Sequence, residues 1–372
     1  MAAPQPADHD LDQELAEQRQ AIDRIDQQLV ALLSQRSKAV HAIGEAKTRR
    51  GLSIFVPHRE QEVFQRVCSY NQGPLPDTAL RAIWREIMSA SIALEQPITI
   101  CHFGKPGAFT HQAARLKFGD AVGYSSVEAI TTVFHEVERG HADYGVVPIE
   151  NSTDGGITDT IDAFLATTLQ IVNELHLRIR HHLMARGQRA DIRRIYSKNT
   201  VFGQCRTWLA TNMPGVELVE VGSTTAAMER AVADAEGAAI GSAEGAGAFG
   251  LPVLAADIED NPTNTTRFVV IARPDKAANP TDHDKTSIMF GVQDRPGALY
   301  ECLIPFHQAG ISLTRIESRP SRRQAWEYLF FIDVLGHRDE PQITSAMAEL
   351  SKRTSTVQIL GSYPRAERPL NG

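Results

Sequence analysis

Apolar residues recur at helical spacing from Leu11 to about Arg50, with Ile22, Ile25, Leu29 and Ile43 in one stripe and only Gly44 interrupting the run. At 1.5 Å per residue such a helix is about 60 Å long, more than one small bundle covers, so a dimer sharing its core is expected. Pro57 opens a second helix carrying Val63, Phe64 and Val67, and Asn71 to Pro76 reads as a turn. Asp77 or Thr78 is placed to cap a third helix, in which Leu80, Trp84, Ile87, Ser91 and Leu94 recur until Pro97 ends it. Residues 11–96 therefore read as all-α. Arg36 and Lys47 lie on the same stripe as Ile25, because eleven steps at ~100° return to within ~20° of the start. Cations on a core-facing stripe cost several kcal/mol each unless something negative meets them. For one such residue, snorkelling or pairing with acids on a neighbouring helix is the ordinary reading. Two in register favour a buried anionic ligand.

After Pro97 short apolar strands alternate with helices: strand Ile98–Phe103 then helix Ala108–Phe118, strands Tyr144–Val147, Leu175–Ile179 and Ile195–Ser197, and a helix through Trp208. Strand Val216–Val221, helix Ala226–Ala233, strand Ala238–Gly241 and strand Phe268–Ala272 continue the series. This pattern predicts a two-lobed α/β domain with a cleft, residues 97–275. Arg273 to Asp284, rich in Pro, Asp and Ala, reads as a linker. The rest, residues 284–366, spells βαββαβ: Thr286–Val292, Ala298–Ala309, Ile311–Ser318, Trp326–Val334, Glu340–Lys352 and Val357–Leu360. That is a ferredoxin-like unit.

The 372 residues suffice for two or three domains, and 42% hydrophobic with 22% charged residues is an ordinary globular balance. A net charge of -7 argues against a general nucleic-acid or membrane-surface role. Cys68, Cys101, Cys205 and Cys302 are scattered without a CxxC pair, which fits free thiols in a reducing cytoplasm. The first ten residues lack the charged-then-apolar pattern of a secretory leader, and no run approaches the ~20 apolar residues that span a bilayer.

Arg59 and Glu60 open the second helix, while Ser91 and Glu95 share a face of the third at i,i+4. Cations, a hydroxyl and a carboxyl in a bundle core can clamp a dianion. This section resembles the all-α chorismate mutase family over essentially its whole length. The resemblance implies carboxylate clamps at Arg19 (reaching into the partner subunit's site), Arg36 and Arg59. It implies that Lys47 binds the ether oxygen and a carboxylate, Glu60 the ring hydroxyl and Ser91 a carboxylate. Glu95 stands where some relatives carry Gln, and Val56 where some carry Asp. A Claisen rearrangement needs no proton transfer or nucleophile; it needs a held conformer and electrostatic stabilisation. Glu95 helps only when protonated, so a raised pKa is expected there.

The middle section carries Pro148-Ile149-Glu150-Asn151-Ser152-Thr153 and Asn264-Thr265-Thr266-Arg267-Phe268, polar groups at strand edges where α/β clefts bind ligands. Each alone fits a capped turn equally well. Together with Tyr196-Ser197, Gln204-Cys205-Arg206 and the run Ser223 to Glu229, they closely resemble prephenate dehydratase from Ile98 to about Ala272. Lys105 within Gly104–Gly107, and Lys198 after Ser197, depart from that family's usual pattern. By the resemblance, the domain removes carboxylate and hydroxide from prephenate to give phenylpyruvate. The family's proposed general acid maps to Thr266, a poor acid whose role reads as a positioned hydrogen bond, with Arg267 anchoring or orienting nearby. Asn151, Ser197, Gln204 and Thr225 are substrate-contact candidates; Glu150 is either structural or a polar contact.

The run Gly245 to Gly250 spells GxGxxG, but its glycines fall inside a small-residue helical stretch, so close helix packing is the ordinary reading. His181-His182 lacks metal-ligand spacing and reads as a polar strand-edge pair. The last section resembles an ACT regulatory domain through Gly297-Ala298-Leu299-Tyr300 and Glu317-Ser318-Arg319-Pro320. Asp294 to Gly297 leads into a helix whose free N–H groups suit an amino acid's carboxylate. The resemblance implies phenylalanine bound at a subunit interface; a purely structural module is the alternative.

The sequence thus reads as a cytoplasmic homodimer or higher homo-oligomer joining chorismate mutase, prephenate dehydratase and a phenylalanine sensor, with no cofactor or metal. The competing readings are an arogenate-preferring dehydratase with a regulatory mutase section, and a small-acid binding or sensor protein.

Overall fold

A computed structural model describes residues 6–49, 57–277, 279–293, 295–320 and 328–366. Val56, Asp294 and Trp326 lie outside the described residues. The N-terminal section is helix α1 (Pro6–Arg49), α2 (Pro57–Ser69) and α3 (Asp77–Glu95). Helix α1 runs unbroken through Gly44, whose missing side chain makes room for Glu95: an added Cβ would lie 2.8 Å from Glu95 Cγ. Neither Asp77 nor Thr78 caps α3; Pro76 is the N-cap residue, and Asp77 instead accepts from Asn71 Nδ2 at 2.8 Å. Leu11, Leu15, Ile22, Ile25, Leu29 and Ile43 all stay exposed on α1.

The α/β section contains β1 (Thr99–Phe103), α4 (Phe109–Phe118), β2 (Gly123–Val127), α5 (Ile130–Glu138), β3 (Tyr144–Asn151), β4 (Gly155–Gly156), α6 (Thr158–Ala163) and β5 (Gln170–Arg178). The chain then crosses into a second lobe of β6 (His182–Met184), β7 (Arg194–Ser197), α7 (Asn199–Gln204), α8 (Arg206–Asn212), β8 (Glu217–Glu220), α9 (Thr224–Ala233), β9 (Gly237–Gly241), α10 (Ala243–Phe249) and β10 (Val253–Ala255). It returns as β11 (Thr265–Ala272) to complete the first sheet, order β2-β1-β3-β11-β5 with β4 on β3; the second sheet runs β10-β6-β9-β7-β8. The two crossovers are tied to each other by Arg180–Asp257 at 2.5 Å and by Ile258 N–H donating to His181 O at 2.9 Å. His181 precedes β6 and His182 opens it, and both side chains are buried at this crossover. Gly245 and Gly247 lie within α10; Gly245 Cα would stand 2.8 Å from a Cβ on Gly107, so Gly107 and Gly245 serve close packing between the lobes, whereas Gly247 faces open space.

The C-terminal section is β12 (Asp284–Val292), α11 (Ala298–Gln308), β13 (Leu313–Pro320), β14 (Tyr328–Leu335), α12 (Pro341–Ser351) and β15 (Thr356–Pro364), an antiparallel sheet ordered β13-β14-β12-β15. One face packs on α11 and α12 through Ile288, Phe290, Phe306 and Ile343. The opposite face does not meet solvent. Met289, Leu329, Phe331 and Tyr363 join one apolar cluster with Val133, Phe134, Phe164 and Val269 of the first lobe. Burying both faces explains why all of β12 is buried, polar residues included. The segment after Arg273 therefore joins two units that share a core.

Candidate functional sites

In the helical section Arg36 Nη1 donates to Ser91 Oγ at 2.7 Å, and Ser91 donates to Ile87 O at 2.7 Å. Arg36 is half-buried, and burial lowers its pKa. One turn further along α3, Glu95 lies over Gly44, its Oε2 buried with no hydrogen-bond partner among the described residues. Burial raises its pKa, against the pull of Lys47 and His41. Two cations, a hydroxyl and a carboxyl whose pKa burial raises thus meet along the α1–α3 seam. Arg19 sits 17 residues before Arg36, about 25 Å along the axis, and is exposed. Two expected members do not join the cluster. Arg59 is exposed and paired with Glu62 at 2.5 Å, and Glu60 is largely buried against Lys117 of α4 at 2.5 Å. The mutase-like section is thereby stitched to the next, where Glu86 also accepts from Asp120 N at 2.9 Å and Ser89 from Ala121 N at 3.1 Å.

In the α/β section Asn151 and Thr266 end neighbouring strands, paired in register. Asn151 Nδ2 donates to Thr266 Oγ1 and to Asn264 Oδ1, both at 2.9 Å, and all three side chains are buried. Gln204 of the second lobe donates from Nε2 to Asp154 Oδ2 at 2.7 Å, while its Oε1 faces His181 Nε2 at 2.7 Å. The backbone N–H of Asp154 in turn donates to Asn151 Oδ1 at 3.0 Å, which places the Asn151–Thr266 cluster at the junction of the lobes. With Gln204 Oε1 as acceptor, His181 carries its proton on Nε2; Nδ1 is then a buried acceptor without a partner among the described residues, and burial lowers the His181 pKa. The lobes also meet through Ser242 Oγ donating to Gly107 O at 2.7 Å and through Lys105–Glu229 at 2.5 Å, so the Lys105 departure forms an exposed latch. Ser197 is fully buried and donates to Ile240 O at 3.0 Å; Thr225 Oγ1 lies 3.0 Å from Ser223 Oγ at the start of α9. Lys198, the other departure, supplies the N-cap backbone of α7.

Arg267 corrects the sequence reading. Successive side chains on a strand face opposite sides, so Arg267 turns away from Thr266. It donates from Nε to Glu174 at 2.7 Å, from Nη1 to Asp333 at 2.5 Å and from Nη2 to Tyr363 Oη at 2.8 Å. Lys285 joins Glu174 at 2.9 Å, and Ser287 donates to Asp333 at 2.5 Å. Burial would raise the Glu174 and Asp333 carboxyls, but the neighbouring cations outweigh it and hold both below their ordinary values. Glu150 belongs to the same face, 3.6 Å from Arg267 and 3.5 Å from Arg315. Neither Arg267 nor Glu150 contacts the cleft cluster; they knit the dehydratase-like lobe to the C-terminal sheet. Among sequence-predicted effector residues, Gly297 is the left-handed residue (φ 79) before α11, followed there by Ala298 and Leu299. Glu317, Ser318 and Arg319 lie on edge strand β13, where Glu317 pairs with Arg315 and Arg319 reaches Asp162 at 3.3 Å. No described hydrogen bond or ion pair joins these two motifs within one chain.

A helical section with half-buried cations, a two-lobed α/β unit with a polar cluster at its junction and a ferredoxin-like module thus lie on one chain. The prephenate dehydratase family profile matches residues 100–276, the chorismate mutase type II profile residues 18–96 and the ACT domain profile residues 286–352. The chain is 43% identical over 359 residues to the bifunctional chorismate mutase/prephenate dehydratase of Aquifex aeolicus, covering 95% of this chain and 99% of that protein. It is 40% identical over 356 residues to the like-named enzyme of Pseudomonas aeruginosa, covering 94% and 97%. The crystal structure of a prephenate dehydratase from Arthrobacter aurescens in complex with L-Phe aligns with a TM-score of 0.68 at 35% identity, covering 73% of this chain and 92% of that one. The chain belongs to the bifunctional chorismate mutase/prephenate dehydratase family. It carries both activities, in the service of phenylalanine biosynthesis.

Proposed function

We propose that residues 11–96 rearrange chorismate to prephenate, that residues 97–275 convert prephenate to phenylpyruvate, and that residues 284–366 bind phenylalanine and inhibit the second step. In the mutase, Arg36 and Ser91 hold a carboxylate, Lys47 meets charge building on the ether oxygen and protonated Glu95 donates to it. The exposed apolar stripe of α1 supports a dimer in which the partner covers it and Arg19 crosses to the other subunit's site. In the dehydratase the C1–carboxylate bonding pair moves into the ring as carbon dioxide departs. The C4–oxygen pair leaves with the oxygen, which one proton converts to water. Thr266 donates to that oxygen; Asn151 orients Thr266, and Ser197, Gln204 and Thr225 complete the cleft. The enzyme works in the cytoplasm; no helix among the described residues is long and apolar enough to cross a membrane.

The observation that supports feedback is the Arg267–Asp333 pair, which ties the strand bearing Thr266 to the ACT sheet. The test is a phenylalanine titration of both activities, with calorimetry on parent and Ser318→Trp, a bulky side chain in the matching motif. Inhibition of dehydratase turnover with saturable binding, both weakened in S318W, is expected. Binding without any change in dehydratase rate contradicts the regulatory reading.

A further inference from the structure

We propose that Asn264 is a second hydrogen-bond donor to the oxygen that leaves prephenate, acting beside Thr266. The inference rests on the assignment of the dehydratase step to the Thr266 cleft.

Backbone N–H groups can only donate, and those of Thr153 and Asp154 meet Asn151 Oδ1 at 2.8 and 3.0 Å. That fixes the Asn151 amide: Oδ1 points to the turn, and Nδ2 points to Asn264 Oδ1 and Thr266 Oγ1. Both recipients are therefore acceptors. Thr266, having accepted, keeps its own hydroxyl hydrogen to give. Asn264 Oδ1 accepts from Asn151 Nδ2 at 2.9 Å and from Thr153 Oγ1 at 3.4 Å, so flipping its amide would set its NH2 against that of Asn151. Its Nδ2, with two hydrogens to donate, has no partner among the described residues although Asn264 is only 1% exposed. A buried amide left unsatisfied destabilises the fold and calls for a reason. The Asn264 carbonyl accepts from Ile179 N–H at 2.8 Å, continuing the β11–β5 ladder, so residues 264 and 266 share the strand face opposite Arg267.

The chemistry supplies the reason. As the C4–oxygen bond breaks, its electron pair collects on the departing oxygen, and a lone threonine hydroxyl stabilises that charge poorly. Two preorganised neutral donors form the equivalent of an oxyanion hole. Asn264 gives up no proton; it lowers the charge density on the oxygen until water is formed.

The experiment measures full-length Asn264→Asp, Asn264→Ala and Thr266→Ala on supplied prephenate, with mutase activity and melting temperature as folding controls. N264D preserves shape and the acceptor for Asn151 but replaces the donor with a carboxylate oxygen. Its kcat should fall about 100-fold near neutral pH with KM changed only a few-fold, the loss seen when one such donor is removed. Toward acid pH, N264D should recover relative to N264A, because a protonated carboxyl is again a donor. A N264D kcat within about threefold of the parent, a loss confined to KM, or a loss that does not ease with acid would overturn the proposal. Full activity in T266A would instead remove the assignment beneath it.

Discussion

Thr266 and Arg267 are consecutive on β11, yet the threonine hydroxyl bonds Asn151 at the lobe junction while the arginine lies 2.5 Å from Asp333 of the ACT sheet. One peptide unit thus separates the Asn151–Thr266 cluster from the contact with the ACT sheet. The Asp333 carboxyl is almost fully buried, so Asp333→Asn leaves Arg267 without its full counter-charge. Breaking one partner of a buried pair typically costs about 3–5 kcal/mol. D333N should melt well below the parent and lose dehydratase turnover before mutase turnover. An unchanged melting temperature in thermal denaturation refutes this coupling.

Mutase activity should fall as pH rises through the Glu95 pKa, which burial holds above the usual carboxylate range. The protonated acid is the donor form, so activity is full below that pKa and lost above it. In Glu95→Gln the amide donates at every pH, and the alkaline limb attributable to Glu95 should disappear. Parent and E95Q profiles of the same shape sink this role.

The strand pattern, the long helix α1 and the βαββαβ order were legible because period and punctuation carry them, whereas the apolar stripe of α1 is exposed in the single chain. Less visible were β2, α5 and α6: Gly123–Val127 is half polar, and α6 spans only six residues. The direction of Arg267 was hidden by motif thinking, although alternation along a strand already sets it opposite Thr266. Glu60 meeting Lys117 was illegible, since 57 residues and a domain boundary separate them. The same spacing rule that turns Arg267 away places Asn264 on the Thr266 side, a clue present in the sequence but overshadowed by the threonine.

His102 is buried beside His111, ring centroids 4.7 Å apart, and burial with that neighbour lowers its pKa to about 4. An unfolded histidine ionises near 6.5, so between pH 4 and 6.5 the unfolded chain binds more protons at this position. The His102 contribution to stability is complete above 6.5 and is lost as pH falls toward 4. Replacing it with Gln, which does not titrate, should flatten the fall in melting temperature between pH 6.5 and 4.5, a window set by that shift. Parallel slopes for parent and H102Q exclude the effect.

The most direct measurement supplies chorismate to the parent, Lys47→Ala and Thr266→Ala, and follows prephenate and phenylpyruvate separately over time. The parent should pass through prephenate to phenylpyruvate; T266A should accumulate prephenate at the parent's initial rate. K47A should form little prephenate yet convert supplied prephenate normally. Loss of both reactions in either folded variant would contradict two independent sites on one chain.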